Sequence, residues 1–245
     1  MKDATTAHTR ELLAVAPLTP LGYLANASNA TLLCRVGDEA DQTAAVYKPA
    51  AGERPLWDFP AGSLCRREVA AYLVSEALGW GVVPPTVLRD GPAGEGSAQL
   101  FVAHDPRLHY FVLIDDEGHH AALARLAAFD LLINNADRKG SHVLLGEGDA
   151  RLYGIDHGVT FHPQPKLRTV IWELGGRPLE RSWRADMARL GDILHSPDDP
   201  LVRRLCSLLS GREIAATAAR AQALAATAAL PVLDEERRPY PWPPL

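Results

Sequence analysis

Two carboxylates and an imidazole bracket one short hairpin in this chain, and that set of groups suits divalent-metal chemistry on a phosphate. The run Asn134-Asn135-Ala136-Asp137-Arg138-Lys139-Gly140-Ser141-His142 precedes two apolar stretches, Val143–Leu145 and Leu152–Ile155, which flank the turn Gly146-Glu147-Gly148-Asp149. Ile155-Asp156-His157-Gly158 comes directly after. Paired strands lie about 4.8 Å apart, so a hairpin brings the residues before its first strand beside the residues after its second. Asp137, His142 and Asp156 are therefore expected to share a pocket. Oxygen donors hold Mg²⁺, and a separate carboxylate can orient or deprotonate a hydroxyl, which is the equipment of phosphoryl transfer. Taken singly, Asp137-Arg138-Lys139-Gly140 is an ordinary polar helix stop and Asp156-His157-Gly158 an ordinary strand-end turn. Their combination carries the argument.

A cation for the phosphates comes from earlier in the chain. Val46-Tyr47-Lys48-Pro49 ends a strand, and Glu68 begins a helix that should pack on the same sheet, so an ion pair between Lys48 and Glu68 is expected. The chain has only four lysines (Lys2, Lys48, Lys139 and Lys166), which draws attention to the internal ones. Without the hairpin, Lys48 would read as a snorkelling strand lysine and Glu68 as a solvated helix-start residue. The turn Ala25-Asn26-Ala27-Ser28-Asn29-Ala30 is small and polar enough for backbone N–H groups near Ser28 and Asn29 to approach phosphates, although it has no glycine. His104, His109, His119, His120 and His162 show no metalloprotease-type spacing and read as scattered surface residues. Trp57 and Trp172 fall in segments that could border a cleft. Arg177, Arg181 and Arg184 suit either an acceptor-binding patch or a solvated helix face.

The elements that must position these groups are read from periodicity. Residues 21–36 read as strand, turn, strand, and Ala44–Tyr47 as a third strand. Residues 65–79 carry apolar positions at helical spacing with Gly79 as a stop. Val82–Leu88 and Ala98–Val102 read as two further strands around a turn-rich stretch. A long helix is expected over 119–137, then the hairpin, then helices over 203–209 and 214–229, with a proline-rich RRPYPWPPL that suits neither regular structure. This is an α+β chain with a change of character near residues 103–106: a sheet with one helix over 1–103, and a mainly helical part over 104–245.

Composition narrows the partners. Of 245 residues, 47% are hydrophobic and 22% charged, so the chain can bury a real core. A net charge of -5 without a basic block argues against nucleic acid. No apolar run approaches about 18 residues, so stable membrane insertion is not expected, and the apolar stretch near the start is too short for a signal peptide. Cys34, Cys65 and Cys206 lie far apart, which suggests neither a disulfide framework nor a zinc site and fits a reducing cytoplasmic setting.

The order of these features resembles the phosphatidylinositol 3- and 4-kinase superfamily, especially the type II phosphatidylinositol 4-kinases, together with the HipA-like bacterial kinases. The likeness spans roughly residues 22–162. It rests on V-Y-K-P at 46–49, Glu68 followed by V-V-P-P-T at 82–86, Q-L-F-V at 99–102, N-N-A-D-R at 134–138 and I-D-H-G at 155–158. The resemblance implies a two-lobed protein-kinase-like fold that binds ATP and Mg²⁺ between its lobes. It implies that Lys48 meets the nucleotide phosphates and Glu68 holds it, and that Gln99, Leu100, Phe101 and Val102 form the hinge whose backbone meets adenine. Asp137 is implied as the catalytic aspartate, Lys139 as a neutraliser of the γ-phosphate and Asp156 as a metal ligand. At the position where the family has an asparagine ligand for a second metal, this chain has His142. A neutral imidazole is a softer donor than an amide oxygen, and would either favour Mn²⁺ or leave that metal position weak. The implied activity is transfer of the γ-phosphate to a hydroxyl on a protein, small molecule or lipid. The alternatives are a nucleotide-binding pseudokinase acting as an interaction module, or transfer of AMP from ATP bound in reverse.

Overall fold

The computed structural model describes residues 2–24, 30–233 and 239–245. The chain opens with a helix, α1 (Lys2–Val15), and three strands, β1 (Leu18–Tyr23), β2 (Leu32–Gly37) and β3 (Gln42–Pro49). Helix α2 (Leu64–Leu78) and the hairpin β4 (Thr86–Gly91) and β5 (Gly94–Leu100) complete the first part. The second part contains α3 (Tyr110–Leu113), α4 (His120–Ile133), the small hairpin β6 (Val143–Leu145) and β7 (Leu152–Gly154), and helices α5 (Arg181–Leu194), α6 (Pro200–Cys206) and α7 (Gly211–Ala226). The large sheet is antiparallel throughout, in the order β1-β2-β3-β5-β4. The architecture is α+β and two-lobed, as the sequence implied.

Alternation along β3 explains how the sheet serves the cleft. Ala45, Tyr47 and Pro49 are buried while Ala44, Val46 and Lys48 between them are half-buried, so Lys48 points away from the covered face. α1 supplies part of that cover: Leu13 is fully buried against Val36 and Ala45. The sequence pattern assigns no element to α1, since its apolar signal is confined to about one turn.

Both closing helices, α6 and α7, start three residues earlier than expected, and three further boundaries differ for a local reason. β4 and β5 run further toward their shared turn than their apolar residues suggest. Gly91 and Gly96 lie so close to the Tyr47 ring that a Cβ at either would sit 2.7 Å from it, so the glycine-rich stretch is strand instead of loop. Val82 and Val83 are not in a strand, and their N–H groups donate to the buried Ser75 hydroxyl at 3.0 and 3.3 Å. α4 stops at Ile133 instead of continuing to Asp137 because Asn134 adopts a left-handed conformation, φ 54° and ψ 55°. That stop releases residues 135–142 as a loop.

One large apolar cluster joins α2 to the helices of the second part, so the two parts share a core. α5, to which the sequence pattern assigns no element, contributes a stripe of Trp183, Met187, Leu190 and Leu194 at helical spacing. A buried ion pair adds a polar tie: Arg67 of α2 donates to Glu213 of α7 at 2.6 Å and to the Thr160 carbonyl at 2.8 Å. No helix among the described residues is long and apolar enough to cross a membrane.

Candidate active site

Lys48 ends β3 in the cleft and meets two carboxylates. Its Nζ donates to Glu68 of α2, and to Oδ1 of Asp156 at 3.0 Å across the cleft. Glu68 is 2% exposed, and its other oxygen accepts the His157 backbone N–H at 2.8 Å, which ties α2 to the segment carrying Asp156. Burial alone would lower the Lys48 pKa, but the charges of Asp156 and Glu68 outweigh it and hold the ammonium above its usual range. Burial opposes the ionised form of Asp156 too, and here the Lys48 charge reverses it, leaving that carboxyl well below its usual range. Glu68 goes the other way, pushed up by burial with the charge of Asp156 adding against the pull of Lys48. Asp156 has φ 60°, a left-handed conformation that costs a non-glycine residue roughly 1–3 kcal/mol. Its side chain stays 43% exposed.

The opposite wall is organised by Arg138, which is fully buried. Its guanidinium makes a two-pronged pair with Asp130, Nε to Oδ2 at 2.8 Å and a terminal nitrogen to Oδ1 at 2.9 Å. The other terminal nitrogen donates to the carbonyls of His142 and Ile155 at 3.1 and 2.7 Å. Arg138 also donates to Nε2 of His157 at 2.7 Å. Burial, then the Arg138 charge, pushes the His157 pKa down, so its ring is neutral. Asn135 completes the frame by donating to Asp130 at 2.9 Å and accepting the Asp137 backbone N–H at 3.0 Å.

Upon this frame sit Asp137, Lys139 and His142. Burial raises the Asp137 pKa to about 6, against the pull of Lys139, whose Nζ lies 3.5 Å from Oδ2. Burial lowers the His142 pKa to about 4, so at neutral pH the imidazole carries no charge. Its Nδ1 lies 3.1 Å from the Asp137 carbonyl, and its Nε2 lies 3.2 Å from Oδ2 of Asp156. Both ring nitrogens face acceptor oxygens, and the Lys139 backbone N–H also lies 3.5 Å from Nδ1, so one neutral tautomer donates Nε2–H to Asp156 and the other donates Nδ1–H to the Asp137 carbonyl. In the second tautomer the Nε2 lone pair and a carboxylate oxygen face each other at a separation that fits a shared cation.

These groups open into one cavity of about 420 Å³ lined by Lys48, Glu68, Asp137, Lys139, His142 and Asp156. The structure thus gathers six of the sequence-derived candidates. Ser28 and Asn29 lie outside the described residues, although their neighbours Leu24 and Thr31 line the cavity. Gln99, Leu100, Phe101 and Val102 do not line it: the Gln99 amide donates to Thr86 at 2.9 Å, and the N–H groups of Leu100 and Phe101 are bonded to Pro85 and Ala44. The cavity extends instead toward Glu53, Arg54 and Leu56 before α2, which the sequence pattern does not mark. Trp57, 93% exposed, stands beside that loop with the Lys166 ammonium 4.9 Å from its ring. Arg184 braces α5 by donating to Ala225, and Arg177 and Arg181 do not line the cavity. No group of three or more His, Cys, Asp or Glu side chains able to hold a metal occurs among the described residues, so a cation here would take its remaining ligands from phosphate oxygens and water.

Asp130 and Arg138 are site-builders that sequence reasoning did not single out. Asp130 is a lone charge inside the apolar run Ala-Ala-Phe-Asp-Leu-Leu-Ile, and a buried charge demands a partner. That was the available signal.

No family model matches the chain. Protein Rv2133c of Mycobacterium tuberculosis is 42% identical over 265 aligned positions, covering 95% of this chain and 94% of that protein. The chain belongs to the Rv2133c family. Among solved structures, this Rv2133c-family chain is similar to the Golgi casein kinase, with TM-score 0.63 and 16% identity over 91% of this chain and 74% of that one. The Golgi casein kinase with Mn/ADP bound gives 0.57 at 14% identity, covering 91% and 75%. Hydra Fam20 with sugar gives 0.56 at 16% identity, covering 91% and 87%. At these identities the likeness is one of fold, and the fold is kinase-like.

Proposed function

We propose that the protein is an ATP-dependent phosphotransferase that moves the γ-phosphate of ATP to a hydroxyl acceptor. The observation that carries this reading is Lys48 bridging Glu68 and Asp156 across a cavity that also contains Asp137 and His142. The nucleotide lies between the parts formed by residues 1–103 and 104–245. Lys48 meets its phosphates, and Glu68 keeps that ammonium in place. Gln99, Leu100, Phe101 and Val102 do not line the cavity, so no adenine contact is assigned to them. Asp156 and His142 are the residues that hold Mg²⁺ or Mn²⁺, which supplies charge stabilisation on the phosphates when bound. The Mn/ADP bound to the Golgi casein kinase supports nucleotide and divalent metal in this fold.

Asp137 orients the acceptor hydroxyl and takes its proton. The acceptor oxygen bonds to the γ-phosphorus as the bond to the β–γ bridging oxygen breaks, and ADP leaves. Lys139, 3.5 Å from Asp137, offsets the charge on the transferred group. The motif order supports a place in the phosphatidylinositol 3-/4-kinase-like and HipA-like superfamily. The acceptor is a hydroxyl of a protein, a small molecule or a lipid. The test is incubation with ATP labelled at the γ- or the α-phosphate. Label from γ alone in an acceptor or in the protein itself supports the reading, label from α alone shows AMP transfer, and metal-dependent binding without transfer shows a pseudokinase.

A further inference from the structure

We infer that residues 239–245 act as a strap that positions the loop carrying Asp137 and His142, a role that rests on the phosphotransferase reading above. The proline-rich stretch has neither helix nor strand, yet it docks at two backbone points on the catalytic side. Gly140 donates its N–H to the Pro244 carbonyl at 2.8 Å, and Thr169 donates its N–H to the Pro239 carbonyl at 2.8 Å. The Trp172 indole N–H reaches the same Pro239 carbonyl at 3.3 Å.

Both points bear on the site. Gly140 stands three residues after Asp137 and two before His142. Thr169 is paired with Arg138 through a bridge in which Arg138 donates to Arg168 at 3.0 Å and Val170 donates to Arg138 at 3.1 Å. The strap therefore holds the loop directly at Gly140 and, through Thr169, the segment that supports Arg138. The fit at Gly140 is close: a Cβ there would lie 2.8 Å from the Phe111 ring and 3.2 Å from Leu245, so the loop backbone is sandwiched between these side chains.

The strap contributes a small share of the core: Pro241 is buried and Pro239 and Pro244 are half-buried, while Tyr240, Trp242 and Leu245 are 48%, 89% and 53% exposed. A segment that buries so little apolar surface adds little to global stability, while its hydrogen bonds fall on the backbone that sets Asp137 and His142. Loosening it should move the catalytic groups without unfolding the protein. Small misplacements of reacting groups cost far more in turnover than in ground-state binding.

The test combines Trp172→Phe, which removes the indole N–H and keeps a ring, with Leu245→Asp. Amide exchange at Gly140, thermal melting, ATP binding and steady-state kinetics are compared with the parent protein. The strap predicts faster Gly140 exchange, a melting temperature lowered by only a few degrees, and a kcat reduced by about tenfold, with KM for ATP changed by less than about twofold. Unchanged exchange at Gly140 overturns the strap whatever the activity of the parent, and so does faster exchange with parental kcat. A parent that binds ATP and transfers no phosphate overturns the strap's catalytic role together with the functional reading. A parent that transfers phosphate while the variant keeps its kcat overturns the strap alone.

Discussion

The two walls of the cleft reach one ion pair by different means. On the helical side a buried guanidinium, Arg138, binds Asp130, two backbone carbonyls and His157, and so fixes the backbone on both sides of Asp156 and His142. On the sheet side a single flexible ammonium is placed by the carboxylates it meets, Glu68 and Asp156. One wall is preorganised by a buried polar network, in which only His157 Nδ1 has no partner among the described residues, and the other is adjustable. On the proposed function, a nucleotide draws Lys48 from Asp156 onto its phosphates while the backbone around Asp156 and His142 keeps its place.

This contrast can be broken or sharpened by mutation. The largest effect is expected from Asp156→Asn, which removes the carboxylate shared by both walls: γ-phosphate transfer should fall on the order of 10³-fold in a labelled-ATP assay. Arg138→Met strikes the rigid wall and leaves Asp130 buried without its partner, at a cost of roughly 3–5 kcal/mol in urea unfolding. If it proved as stable as the parent, the network would not be what holds the loop. Lys48→Met strikes the adjustable wall and should reduce transfer by about 10²-fold, and it too leaves a buried carboxylate, Glu68, without its cation, at a cost in urea unfolding comparable with that of Arg138→Met.

Asp137 supplies a pH signature. As the base proposed above it must be ionised, so transfer should fall about tenfold per pH unit below its pKa of about 6. Its folded pKa lies above the reference 3.8, so the folded state binds more protons and stability falls as pH rises from 3.8 to about 6. Above that window the buried charge is fully unfavourable, and Asp137→Asn should raise the melting temperature at pH 8 while abolishing transfer. A lower melting temperature at pH 8 would contradict this. The smallest effect is on metal choice: His142→Asn replaces a nitrogen donor by an amide oxygen and should shift the Mn²⁺ to Mg²⁺ activity ratio toward Mg²⁺ by several-fold, up to about tenfold.

The walls also differ in how much of them could be read from the sequence. The hairpin argument places Asp137, His142 and Asp156 together because strand pairing is local: Val143 opposite Gly154 puts His142 beside Ile155. Lys48 and Glu68 were legible from strand end and helix start. The Arg138 network was not, because Asp130, Arg138 and His157 meet only after α4 has ended at a left-handed Asn134, and Asn134 itself looks like helix in the sequence. α1 escapes sequence reading because its apolar residues are confined to about one turn, whereas in α5 the helical spacing of Trp183, Met187, Leu190 and Leu194 was a signal present in the sequence. The docking of Pro239–Leu245 rests on backbone carbonyls, which carry no side-chain signal at all.

The central claim is that a divalent ion sits between Asp156 and His142 with a nucleotide phosphate on the Lys48 side. Anomalous diffraction from crystals grown with Mn²⁺ and ADP tests it most directly. The account predicts an ion within roughly 2.0–2.4 Å of an Asp156 carboxylate oxygen and of His142 Nε2, with phosphate oxygens completing its shell. Density for the nucleotide elsewhere, or an ion bound away from Asp156, would contradict it.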